Sequence, residues 1–215
     1  MVPSAKGTPT MIGKEKGYSI KPIVAALLFC LNFTALGCAT SSSTGASFTR
    51  LSNGQFTLGK TIKSEIQAII GKPEGESRII ENGKTINVIH YSYATRASTN
   101  LLLVRIQSFY FYENTLVGHL YSSNFEQDAT DFDDAQVSSI QKGSTKIEEV
   151  FEKLGTPSGE GVYPLTGAED ERKVMYFYPK KQADATIYTK QVVVFYKSNG
   201  IVSDIVFSES LPAQN

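Results

Sequence analysis

The chain of 215 residues has no tryptophan, two cysteines, two histidines and three methionines, and its 21 lysines and arginines are balanced by 21 aspartates and glutamates. Each scarcity excludes something. Cys30 and Cys38 both lie near the N-terminus, so no disulfide framework spans the rest of the chain, which must be held by packing. His90 and His119, with no cysteine beside them, give no zinc-ligand spacing. Strand alternation puts each on a sheet face near the other, yet an acid–base pair or metal would need further groups that no motif supplies. A balanced charge argues against nucleic acid, which needs a basic face. Gly-x-Ser-x-Gly elbows, Walker loops and His-Glu-x-x-His are all missing. The reading is of a non-enzyme with no catalytic residue, no metal ligand set, no cofactor and no small-molecule substrate.

What is present begins with a leader. Lys6, Lys14, Lys16 and Lys21 surround an apolar run, Pro22 to Leu31, that is short for a membrane span. Residues 1–37 therefore read as a signal peptide, with Met1 or Met11 as initiator. Its removal takes four lysines and one glutamate, leaving 178 residues with a net charge of −3. Ala35-Leu36-Gly37-Cys38-Ala39 resembles the lipobox of bacterial lipoproteins, which implies that Cys38 carries the lipid. Ala35 and Leu36 depart from the commonest pattern, so cleavage without lipidation is the alternative. By the same resemblance Ala39 implies the periplasmic face of the outer membrane. The polar run after Cys38 is expected to be a flexible tether over residues 38–54.

Two stretches share punctuation 84 residues apart: Thr61 to Gly71-Lys72-Pro73 and Thr145 to Gly155-Thr156-Pro157. In each, a threonine can cap a helix, apolar residues follow helical spacing, and glycine then proline stop it. At the second, Glu148 would complete a capping box. Strand signals follow both, including the hairpin dipeptide Asn82-Gly83 and turns at Glu113-Asn114 and Ser198-Asn199-Gly200. The fold class expected is α+β in two tandem repeats, residues 55–123 and 140–208, each packing helix on one face of a curved antiparallel β-sheet. Residues 124–139, carrying Asp128, Asp131, Asp133 and Asp134, read as a solvated acidic linker, and 209–215 as a tail. A calcium loop is the sharper reading of those acids, but an EF-hand's central glycine and closing glutamate are missing.

The helix start, Leu-Gly-x-Pro stop and meander ending in Phe-aromatic-x-x-Asn-Gly resemble the SmpA/OmlA lipoprotein family. That family includes the E subunit of the outer-membrane β-barrel assembly machinery and shares its fold with the β-lactamase inhibitor protein, itself a tandem repeat. The resemblance covers about residues 55 to 208 and implies a fold more sharply than a function. No partner-contacting residue of either relative can be carried over.

Eleven tyrosines and twelve phenylalanines remain. Alternation puts Ser108, Tyr110 and Tyr112 on one sheet face and Gln107, Phe109 and Phe111 on the other, with Val192, Val194 and Tyr196 aligned to the tyrosine set. If helices cover the phenylalanines, Tyr110, Tyr112 and Tyr196 form an open face suited to a protein partner. The function expected is a lipid-anchored envelope scaffold or adaptor, its partners including possible components of the β-barrel assembly machinery. The alternative is a periplasmic enzyme inhibitor of the β-lactamase-inhibitor-protein type. Cys38→Ser is expected to move the protein from the membrane to the soluble fraction and abolish palmitate incorporation, as read by fractionation and metabolic labelling.

Overall fold

The computed structural model describes residues 43–52, 54–96, 102–128, 130–181 and 187–210; the signal peptide, Cys38 and residues 211–215 lie outside them. No described helix is long and apolar enough to cross a membrane. Eight strands pair in chain order, each antiparallel to the next. They are β1 (Gly75–Glu81), β2 (Lys84–Arg96), β3 (Leu102–Tyr112), β4 (Thr115–Ser123), β5 (Gly159–Val162), β6 (Glu171–Lys181), β7 (Ile187–Lys197) and β8 (Val202–Ser210). Asn82 (φ 49°) and Gly83 (φ 72°) make the two-residue turn that joins β1 to β2, and Glu113 (φ 47°) with Asn114 (φ 69°) makes the one joining β3 to β4. Left-handed pairs of this kind match the strand twist.

The continuous sheet overturns the expected two-repeat α+β fold. The described residues form mostly one eight-stranded antiparallel sheet, and the two α-helices among them, α1 (Lys63–Ile70) and α2 (Ile147–Leu154), have eight residues each. The join is the pairing of β4 with β5: Gly118 opposite Gly161, His119 opposite Glu160 and Leu120 opposite Gly159. Gly-Glu-Gly is a poor strand former by propensity, which hides this strand in the sequence. The missing side chains are nevertheless what the pairing requires. A Cβ on Gly159 would collide with the carbonyl oxygen of His119, and one on Gly118 with Leu165 Cδ1.

What recurs is local bonding around the two helices. Thr61 Oγ1 accepts from the Thr57 N–H and Thr145 Oγ1 from the Gln141 N–H, both at 2.8 Å, so each threonine closes the preceding turn and the helix starts two residues later. Glu65 and Glu149, not Glu148, accept from the N–H groups of Ile62 and Lys146. Gly71 (φ 99°) and Gly155 (φ 78°) end the helices in left-handed geometry. Their carbonyls accept from the hydroxyls of Tyr91 and Tyr176, which anchor both helix ends to the sheet.

Among the described residues, two core clusters lie on this helix-bearing face. One gathers Leu51, Phe56, Ile66, Ile89, Tyr91, Phe109, Phe111 and Leu116. The other gathers Phe132, Ile140, Ile147, Val150, Leu154, Val174, Tyr176, Val192, Val194 and Val202. Helix α2 buries Ile147, Val150 and Leu154, whereas α1 buries only Ile66. At about 1.5–3 kcal/mol per buried aliphatic side chain, α2 is the more firmly docked. Residues within the expected tether are also bonded to the sheet. Thr44 and Ala94 exchange backbone hydrogen bonds, and the Gln107 amide bonds both the N–H and the carbonyl of Leu51.

On the opposite face, the Asn82 amide donates to the carbonyls of Pro164 and Thr166. The β1–β2 turn thus reaches the β5–β6 loop across β3 and β4, and the sheet curls toward this face. Because the β4–β5 pairing tolerates no Cβ at Gly159, Gly159→Ala is expected to cost about 1–3 kcal/mol of stability in urea unfolding. A smaller loss would show that the strands part without strain.

Candidate functional site

Tyr110, Tyr112 and Tyr196 do not form one open face. Tyr110 is 3% exposed, and burial raises its hydroxyl pKa well above the phenol range. Tyr112 is half-buried on the same side beneath Lys84, whose Nζ lies 5.7 Å from the ring centroid. Tyr196 instead packs against the α2 core. The reason is a register error. The shifts in partner register opposite Tyr110/Phe111 of β3 and Phe195/Tyr196 of β7 recur 85 residues apart and not 84. Tyr196 therefore takes the position of Phe111, and a slip of one residue exchanges every side chain between faces.

The acidic linker is not freely solvated. Lys190, buried on β7, reaches Asp131 Oδ1 and Asp134 Oδ1, both at 2.8 Å, and donates to the Phe132 carbonyl. Arg105 grips Asp128 through Nε (2.9 Å) and Nη2 (3.1 Å), and Tyr121 and Ser123 donate hydroxyl hydrogen bonds to the same carboxylate. Burial alone would raise the Asp128 pKa, but the bonds from Arg105, Ser123 and Tyr121 hold it below the usual carboxylate range. These acids clamp the linker to the sheet. Among the described residues no group of three His, Cys, Asp or Glu could hold a metal.

The two histidines also separate. His90 stands opposite Ser108 and His119 opposite Phe109, and since consecutive residues of β3 point to opposite faces, so do the rings. His119 is 1% exposed on the helix-bearing face, its ring 4.7 Å from that of Phe56. Neither of its ring nitrogens has a described hydrogen-bond partner, nor does Nε of the neighbouring Arg50. Arg50 itself lies over the Tyr121 ring (5.0 Å) and donates to the Pro157 carbonyl (2.8 Å). His90 is fully engaged: Nε2 is 2.9 Å from Ser77 Oγ and Nδ1 is 2.9 Å from Ser108 Oγ. Three adjacent strands thus carry a Ser–His–Ser line. The Asn82-Gly83 turn was the signal that could have found it, because a two-residue hairpin there puts Ser77 opposite Val88 and diagonal to His90.

Two further groups meet near the curled face. Burial pulls the Lys173 ammonium down to about 8, opposed by the Glu81 charge, while burial raises Glu81. The sheet's two terminal strands, β1 and β8, each carry an exposed apolar residue, Ile80 at 72% and Phe207 at 44%. No described strand pairs with the outer edge of either. Nothing in the periodicity separates an exposed edge isoleucine from a buried one.

No protein-family model matches the chain, and no curated protein matches it. The SmpA/OmlA resemblance therefore rests on spacing alone. Among solved structures the chain is similar to one described as "putative beta-lactamase inhibitor protein" from Streptococcus mutans. The identity is 13% and the TM-score 0.39, over 70% of this chain and 83% of that one.

Burial, and then the nearby Arg50 charge, lower the His119 pKa from 6.5 to about 3. The unfolded chain therefore binds this proton from about pH 6.5 downward while the native chain refuses it until about pH 3. Its contribution is full above pH 6.5 and is lost as pH falls through that window, by at most about 1.4 kcal/mol per pH unit. His119→Phe, which keeps the ring contact with Phe56, is expected to flatten stability between pH 6.5 and 4, measured by chemical denaturation at each pH. Parallel curves for the two proteins would refute the assignment.

Proposed function

We propose that this chain is a lipid-anchored envelope lipoprotein that binds other envelope proteins by accepting an extended segment along the outer edge of β1. The observation that carries the reading is the character of that edge. β1 has seven residues, no proline and no bulge, and it presents Ile80 at 72% exposure. Long flat edges with exposed apolar side chains are templates for another strand, and soluble proteins ordinarily blunt them. A docked segment would gain backbone hydrogen bonds from the edge and specificity from alternate side chains, with Ile80 as the apolar contact.

The leader and Cys38 support the compartment: a lipid there would hold the chain at the membrane's periplasmic face. Partner capture moves in this reading from the tyrosines to the edge, since Tyr110 is buried. Components of the β-barrel assembly machinery fit the proposed partner class, as extended envelope polypeptides do generally.

A photoreactive amino acid placed at Ile80, and as a control at the exposed helix residue Ile69, tests this in cells. Crosslinks to envelope proteins from position 80 and not 69, lost when Arg78→Pro removes an outward-facing backbone donor from the strand, are expected. Recovery of one soluble enzyme would favour inhibition instead. Equal crosslinking from both positions would overturn the edge as the docking surface.

A further inference from the structure

We infer that Ser77 is an activated nucleophile able to accept an acyl group from a small, unhindered carboxylic ester, with His90 as its base and Ser108 holding the ring. The reactivity does not depend on a partner strand along β1. Nucleophilic serine needs a base within hydrogen-bond reach and a third group that orients the base. Here the two contacts are both 2.9 Å, Ser77 Oγ to His90 Nε2 and His90 Nδ1 to Ser108 Oγ. With Ser77 donating to Nε2, the ring proton sits on Nδ1 and is donated to Ser108. That is the tautomer in which Nε2 can take a proton.

The surroundings suit the role. His90 and Ser108 are buried, so the ring is fixed, while Ser77 is half-buried on a terminal strand and can be reached. Burial lowers the His90 pKa, which keeps the ring unprotonated at neutral pH. Gly75, two residues along the same face, leaves the ring edge uncovered: a Cβ there would already lie 4.0 Å from His90 Cδ2, and any longer side chain would cover it. Glu74 donates its N–H to the His90 carbonyl, and its side chain accepts from the N–H groups of Ser92 and Ala46. It is thereby turned to backbone and not to the imidazole.

In the reaction, Ser77 Oγ bonds to the ester carbonyl carbon as its proton passes to Nε2. The bond to the alkoxy group then breaks, Nε2 returns the proton to that oxygen, and the alcohol leaves acyl-Ser77 behind. Water, giving its proton to Nε2 in turn, releases the carboxylic acid and restores the serine.

The test is to treat the purified full chain with an uncharged fluorophosphonate, which phosphonylates activated serine with loss of fluoride, and to locate the adduct by intact mass and peptide mapping. One adduct is expected, on Ser77 and absent from Ser77→Ala. Labelling should be about a hundredfold slower in His90→Gln. In the unsubstituted chain its rate should rise with pH through an inflection below the ordinary imidazole value. Ser108→Ala should shift that inflection, and Ser108→Thr should restore it, marking Ser108 as a positioning residue. No adduct on Ser77, or labelling at the rate of the urea-unfolded chain, would overturn the inference. Should His90→Gln fail to fold, the pH profile decides alone, and a flat profile overturns it equally.

Discussion

The pairing of β4 with β5 is the constraint on which the rest of this structure depends. Three residue pairs, two of them with glycine at β5, turn two four-stranded stretches into one sheet. Without them the helix-side cores would be separate bodies. With them, Arg50 from the segment before α1 can reach the carbonyl of Pro157 beyond α2, and the Asn82 turn can reach the β5–β6 loop. The glycines do this by absence, since backbones approach where a methyl group would not fit.

Local features were legible because they depend on a few adjacent residues. Gly71 and Gly155 end helices, and Asn82-Gly83 turns a hairpin, for reasons contained in their own backbones. The sheet as a whole was not legible. Reading Gly159-Glu160-Gly161 for strand propensity undervalues it, because its stability comes from the strands on either side. The tyrosines failed for a related reason. The offset is 84 at Gly71 and Gly155 but 85 at Tyr91 and Tyr176, and periodicity carries no mark of where the extra residue falls, so Tyr196 aligns by the 84-residue spacing with Tyr112 when it corresponds to Phe111.

Charge tells a similar story. Asp128, Asp131 and Asp134 look like a solvated run when read along the chain, but their partners Arg105 and Lys190 come from two different strands. Cations of this kind, half sunk in a sheet, need carboxylates delivered by a loop, so the linker is a structural clasp. The histidines show the converse. His90 finds hydroxyls on both neighbouring strands, whereas His119 sits among aromatic rings. One sheet thus holds two imidazoles in opposite electrostatic settings, separated by the thickness of a single strand.

The Asn82 bonds have a bearing on how the chain folds. Except across the long connection between β4 and β5, each strand follows its partner closely in the chain, so those hairpins can form as soon as their own residues are present, and their loop closure costs little entropy. The Asn82 bonds to Pro164 and Thr166, which join residues 82 and 84 apart, belong to a different order of events. They can close only after the intervening strands are in register. The curl of the sheet is then the last feature to appear, and a chain that has formed all its hairpins would still be flatter and more open than the native protein until that turn is latched.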